Sequence, residues 1–255
     1  MIYVESSFFT QERWLISSLG RYFLSEEQQL VKQMLENIFG EIFIQIGSWG
    51  RSSGFLQNAR TQHAAVLDWR FDSATTLICN TKTIPIQSGS VDVVFLPHTL
   101  ELVPSPHALL REVDRIVRPD GHIIILGFKR ISFWGLRHFF SAEGYPIRNQ
   151  RLISESRLRD WLKLLSFETH KKEYYGCTFP IEKYSRVNFL SKKALLMQWV
   201  PFLNGGFVIH AQKQVFPMTS IRQKLTTKHL RVVGGLAEPT NRVLSDTRYK
   251  LDAAK

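Results

Sequence analysis

The feature that most constrains this chain is a pair of strongly apolar runs, Val91 to Leu96 (VDVVFL) and His122 to Phe128 (HIIILGF), with an amphipathic stretch between them. In that stretch, Pro106 to Val117, the residues Leu109, Leu110, Val113, Ile116 and Val117 recur at helical spacing on one face. Ser105 before Pro106 predicts the helix start, as an N-cap followed by a first-turn proline. Pro119-Asp120-Gly121 predicts its end. A helix joining two buried strands carries the chain back over the sheet, so the strands run parallel with right-handed crossovers.

Further short runs complete the pattern. Ile42 to Ile46 is ended by Gly47, Ala64 to Leu67 by Asp68, and Thr76 to Cys79 is a weaker third. Ser154 to Leu165 reads as another amphipathic helix capped by Ser154, and Phe167 to Tyr175 and Phe207 to Gln212 as the last two strands. Upstream, Gln11 to Phe39 reads as two helical stretches broken near Gly20. The expectation is an α/β fold, a doubly wound and mostly parallel seven-stranded sheet. Its organisation is an N-terminal helical cap over residues 1–40, a main domain over 41–216, and a basic, flexible tail over 217–255. The connection holding Trp199-Val200-Pro201-Phe202 is unusually apolar.

Composition narrows the class. The net charge is +11, of which residues 213–255 carry +6, so the tail admits nucleic acid or anionic lipid as a partner, though such runs are more often simply solvated. Two cysteines, Cys79 and Cys177, in no metal-ligand spacing argue against a disulfide framework or a zinc site and for a reducing compartment. The first residues, MIYVESSFFTQERW, lack a basic region followed by an apolar core, and no apolar run reaches the length of a membrane span. The expectation is a bacterial-type cytoplasmic protein.

In an open parallel sheet, ligands bind beyond the carboxyl ends of the strands where strand order reverses. That directs attention to Gly47 to Arg51, Asp68-Trp69, Asn80-Thr81 and Pro97 to Leu100. Asp68 follows Gly47 by 21 residues, the spacing at which an acidic side chain commonly meets ribose hydroxyls. A glycine and a carboxylate at two strand ends are common to loops generally, so this pair alone does not define a site.

The segment Ile84 to Gly121, IPIQSGSVDVVFLPHTLELVPSPHALLREVDRIVRPDG, is more specific. It resembles the central motif block of class I S-adenosylmethionine-dependent methyltransferases of the type 11-like group. Pro85, Asp92, Val94, His98, Leu100, Glu101, Leu110, Glu112, Arg115, Pro119 and Gly121 match that pattern in order over 38 residues. The following GFKRISFWGLRHFF is similar to a stretch of the poorly characterised bacterial YafS-type branch. The resemblance covers about Ile42 to Leu165.

The resemblance implies S-adenosylmethionine as cofactor and a small-molecule methyl acceptor. It implies that Gln45, Gly47, Ser48, Trp49 and Gly50 cradle the methionine end, that Asp68 binds ribose and that Trp69 lies against adenine. It further implies that Asn80 and Thr81 border the adenine amino edge, while Pro97 and His98 lie beside the carboxylate and the transferring methyl. Departures from the family pattern are Gln45 for an acidic residue, Trp49 and Arg51 for two glycines, and Asn80 for an aspartate. They leave open a non-catalytic binding protein with a degenerate cofactor loop, and the basic tail suggests a further alternative, an RNA-directed methyltransferase.

Individual residues carry competing readings. His98 is a general base or, preferred two to one, a turn residue shaping the pocket wall. Glu112 and Arg115 form an ion pair on the helix. Trp134, Phe133 and Phe139 line an apolar substrate pocket or pack as core. Lys129 and Arg130 sit where a substrate carboxylate or phosphate could be met, or are merely solvated. Asp68 is expected to be solvated in the free protein, so that its removal barely changes stability.

Overall fold

The computed structural model describes residues 11–50, 53–70, 75–141, 151–177, 202 and 204–214, all within one compact unit, Met1–Phe216. The basic tail lies outside the described residues, as do Arg51 and most of the connection before Phe202.

Seven strands form one sheet: β1 (Phe39–Ile46), β2 (Arg60–Asp68), β3 (Leu77–Ile78), β4 (Val91–Pro97), β5 (Val117–Phe128), β6 (Phe167–Cys177) and β7 (Asn204–Lys213). Their order is β3-β2-β1-β4-β5-β7-β6. β1 pairs in parallel with β2 and β4, β2 with β3, and β4 with β5, while β7 is antiparallel to both β5 and β6. The strand expectations therefore hold. β4 is buried along its whole length, because it lies mid-sheet with helices on both faces.

The faces carry separate cores. On one, Ile44, Val94, Leu96, Ile123 and Ile125 pack under α4 (Pro106–Ile116) and α6 (Glu155–Leu164) through Leu109, Val113, Leu158 and Leu162. On the other, Phe43, Phe95, Ile124, Leu126 and Phe128 pack under α1 (Ser18–Leu35) through Leu19, Phe23 and Val31. Among the described residues, shorter helices besides the helical residues 11–16 are α2 (Ser53–Leu56), α3 (Thr99–Leu102) and α5 (Phe133–Phe140).

Several local expectations are corrected. The break in the N-terminal helices falls at Ser17 rather than near Gly20. Residues 11–16 are helical, and the Ser17 hydroxyl caps α1 by accepting from Gly20 N at 3.1 Å. Ser105 and Ser154 occupy N-cap positions but make no side-chain cap bond, so Pro106 alone shapes the start of α4. Pro119-Asp120-Gly121 does not close the helix; it lies inside β5, with Asp120 at φ 60 and a register irregularity opposite Val91 to Val93. Glu112 and Arg115 do pair, at 2.9 Å. Together they bind the backbone of Ile84 and Ile86, fastening α4 to the segment that leads into β4.

Candidate functional site

Strand order reverses between β1 and β4, so the loops leaving these neighbours diverge and open the crevice where such sheets hold ligands. Gly47 begins the first loop. Its amide donates to Leu67 O at 2.7 Å, continuing the sheet, and its φ of 93 lies where side chains are strained. A Cβ there would stand 2.6 Å from Thr99 Oγ1 at the start of α3. The Thr99 hydroxyl in turn donates to Ile46 O, so the loop after β1 is closed against the loop after β4.

Gln45 is fully buried beneath this turn and donates its amide to Gly47 O at 2.9 Å. A carboxylate could not make that bond, which gives the glutamine a structural reason. Asp68, at the end of β2, is 1% exposed. Its carboxylate accepts from Ser48 N at 2.8 Å and Arg70 N at 3.1 Å, with the Arg70 guanidinium 3.8 Å away. The expectation of a solvated carboxylate is overturned: Asp68 joins the first loop to the second.

Trp49 is fully buried. Its indole N–H donates to Glu27 Oε2 of α1 at 2.6 Å, and its ring lies 4.2 Å from the His98 imidazole. Phe128 lies 4.2 Å from His98 as well, so the imidazole packs against two rings. His98 takes the left-handed conformation, φ 53, that a turn after β4 requires. Its Nδ1 lies 3.1 Å from Glu101 Oε2, its Nε2 3.0 Å from Glu27 Oε1, and the Tyr175 hydroxyl 3.2 Å from Nε2.

Burial would push the His98 pKa down, but the hydrogen bonds and charges of Glu101 and Glu27 outweigh it and raise the pKa to about 9. At neutral pH His98 is therefore an imidazolium with both N–H groups donated to carboxylates. In that form the ring has no lone pair with which to take a proton, and it sits at the turn after β4. Burial, then the Glu27 and Glu101 charges, raise the Tyr175 phenol well above its ordinary range, so it is a neutral donor.

The remaining candidates sit along the same edge. Trp69 is half-buried against the β2 end, with the Arg70 guanidinium 5.0 Å from its ring centre. Asn80 is exposed and Thr81 half-buried, and Asn80 Oδ1 accepts from Lys82 N at 3.0 Å, closing its own turn. Pro97 is buried as the last residue of β4. Gly50 takes φ 58 and faces Leu24 of α1, where a Cβ would stand 2.8 Å from the leucine.

Three contributors, Glu27, Gln11 and Tyr175, escape motif reading, and a fourth, Glu101, matches the motif without a role assigned to it. Glu27 shares a face of α1 with Phe23 and Val31 at i±4, a spacing that marks a carboxylate among core residues. Gln11 donates to Ser48 O at 2.9 Å. Glu101 also accepts from Phe128 N at 2.8 Å, and Tyr175 arrives from β6 with no sequence signal. Among the described residues, no group of three or more His, Cys, Asp or Glu is placed to hold a metal ion.

Sheet order, the diverging loops at the switch point and the antiparallel β7 are those of the class I methyltransferase-like fold. A family model described as a methyltransferase domain matches residues 48–125. The chain is 37% identical over 139 residues to the uncharacterised protein YafS of Escherichia coli K12, over 53% of this chain and 54% of that protein's length. Among solved structures it resembles a Thermotoga maritima S-adenosylmethionine-dependent methyltransferase described as a possible histamine N-methyltransferase. That match has a TM-score of 0.61 and 20% identity, and covers 84% of this chain and 100% of the other. A geranyl diphosphate C-methyltransferase of Streptomyces coelicolor A3(2), in complex with Mg2+, geranyl diphosphate and S-adenosyl-L-homocysteine, matches with a TM-score of 0.51 and 14% identity. It covers 74% of this chain and 79% of that one. The chain thus has the fold of class I methyltransferases, matches a methyltransferase domain over residues 48–125, and is similar to YafS over about half the length of each protein.

Proposed function

We propose that the protein transfers a methyl group from S-adenosylmethionine to a small-molecule acceptor at the crevice between β1 and β4, in the bacterial cytoplasm. The observation that carries this reading is the join at the carboxyl edge. The loop after β1 is tied to the strand-end carboxylate Asp68 through Ser48 N, beside a glycine held at positive φ. When bound, S-adenosylmethionine supplies a methyl group already activated on a sulfonium, so the chain's task is to orient reactants and exclude water. The free thiols Cys79 and Cys177 support a reducing compartment.

The nucleoside half fits the residues present. Asp68 has lone pairs beyond those given to Ser48 and Arg70, and Trp69, Asn80 and Thr81 line the accessible edge beside it. The methionine half, assigned to Gln45 and Gly47 to Gly50 with Pro97 and His98, is closed by the chain itself, because Trp49 fills the crevice against His98 and Glu27. A ligand at the switch point needs that space, so binding requires the Trp49 loop and α1 to move apart.

The buried Trp49 also favours a second reading, a non-catalytic binding protein that retains the fold. Calorimetric titration with S-adenosylmethionine and S-adenosylhomocysteine separates the two. Saturable one-to-one binding is expected; no heat from either, at protein concentrations well above micromolar, favours the second reading. For an RNA acceptor only the basic tail argues. A mobility shift that weakens steeply between two salt concentrations would bring that alternative forward.

A further inference from the structure

Imidazole is the commonest metal ligand among side chains, and its ligating nitrogen must carry a free lone pair. His122 of β5, His210 of β7 and His170 of β6 come from three neighbouring strands. His122 pairs with Gln212 and Ile124 with His210, so His122 and His210 are diagonal neighbours on one face of the sheet. His122 Nδ1 and His210 Nε2 are 3.1 Å apart, and both residues are half-buried. In β6, Thr169 pairs with Ala211 and Lys171 with His210, which leaves His170 as the extra residue of a bulge beside them. Its ring centre lies 5.9 Å from that of His210, and the residue is exposed.

A separation of 3.1 Å fits two chemistries. In the pair as it stands, one nitrogen donates its proton to the lone pair of the other. Two nitrogens on one tetrahedral cation, each about 2.0–2.1 Å from it, stand roughly 3.3 Å apart, so these side chains reach an ion with little movement. The shared proton passes to the far nitrogen of its own ring, a change of tautomer that releases none to solvent. Only these two nitrogens are in place for an ion. The third ligand is His170, whose exposed ring turns inward about its side-chain bonds, and water takes the fourth position. The charged neighbours admit a cation. Arg118 is paired with Asp92, and Lys171 with Glu173 at 2.6 Å, while Asp120 brings a carboxylate to β5 two residues before His122. Nitrogen ligands select zinc-like cations, whereas Mg2+ and Ca2+ take oxygen.

We propose that His122, His210 and His170 form a site for a divalent cation of the zinc class, which staples β5 and β7 to the edge strand β6. The site lies six residues, roughly 20 Å, before Phe128 along β5, away from the crevice, and does not depend on the methyl-transfer reading.

The test uses the full-length protein, stripped with EDTA and dialysed, at about pH 7.5, where an ordinary imidazole is neutral. Zn2+ is titrated by calorimetry, and Co2+ is followed by its visible absorption. One saturable Zn2+ site is expected, with the intense visible bands of tetrahedral Co2+. The melting midpoint should rise with Zn2+, stay unchanged with Mg2+, and return on adding EDTA. His210→Gln and His170→Gln should each weaken Zn2+ at least tenfold with unchanged far-ultraviolet circular dichroism. His170 is exposed, so its variant reads the site even where His210→Gln fails to fold. His63→Gln, at an exposed position of β2, should leave the affinity unchanged. No saturable Zn2+ binding, or equal affinity for Mg2+, would overturn the proposal. Unchanged Zn2+ affinity in His170→Gln would also overturn it and mark the ion as adventitious. So would an equal loss in His63→Gln, which would place the ion elsewhere on the chain.

Discussion

Asp68 gives the sharpest case of one residue serving structure and function together. Its carboxylate is the buried acceptor for Ser48 N and Arg70 N, so removing it strands two amides as well as any ligand contact. Asp68→Ala should therefore lower stability by about 1–3 kcal/mol, the cost of leaving buried polar groups unpaired. It should also weaken S-adenosylmethionine binding by roughly tenfold to a hundredfold. Urea unfolding and calorimetry read the two effects separately; unchanged unfolding would mean that the loop finds other partners. His98 makes the second residue-scale prediction. Its pKa is raised from 6.5 to about 9 on folding. The stabilisation is thus complete below about pH 6.5, falls as pH rises through that window, and is lost above about 9. Thermal melts from pH 6 to 9.5 should show a declining midpoint that flattens in His98→Gln. An equal slope in both proteins would remove His98 from the account.

At the scale of elements, α1 acts as more than a lid of apolar side chains. Two successive carboxylates leave it for different parts of the site: Glu26 accepts from Gly176 N of β6 at 2.7 Å, and Glu27 from Trp49 and His98. Glu27→Ala would leave a buried imidazolium short of a partner, at a cost of about 3–5 kcal/mol. The expected signs are a lower denaturation midpoint and red-shifted tryptophan emission as Trp49 loosens; an unchanged spectrum and midpoint would show that apolar packing alone holds the helix. Strands β1, β4 and β5 beneath this helix were legible in the sequence because each holds an apolar run bounded by Gly or Pro. The bulge at Asp120 was not, since Pro-Asp-Gly signals a turn whether or not a neighbouring strand recruits it. The positions of Gly47, Asp68 and His98 at strand ends were legible from spacing. Their partners were not, because Ser48 to Asp68 spans 20 residues and His98 to Tyr175 spans 77, and local pattern carries no such contact.

At the scale of the whole molecule, cap, sheet and loops meet at Trp49, and its replacement reports on all of them. The ring is fully buried against His98, Trp14 and Phe128 and donates to Glu27. Trp49→Gly deletes that packing and should cost about 3–5 kcal/mol, as for other buried aromatic truncations. It also clears the switch point. If the indole is a plug, affinity for S-adenosylmethionine should rise in the variant even as its melting temperature falls. If the ring packs on the bound cofactor instead, affinity and stability should fall together. Gly47→Val is the counterpart: a Cβ at φ 93 and 2.6 Å from Thr99 Oγ1 strains the turn and separates the two loops. It should abolish binding in a protein that remains folded but less stable. Calorimetry and melts of the parent and both variants decide the matter. Tighter binding in Trp49→Gly with none in Gly47→Val supports a cofactor crevice held shut by its own tryptophan. If neither the parent nor Trp49→Gly binds, the methyl-transfer reading is rejected, and the crevice is a packed core that joins cap to sheet.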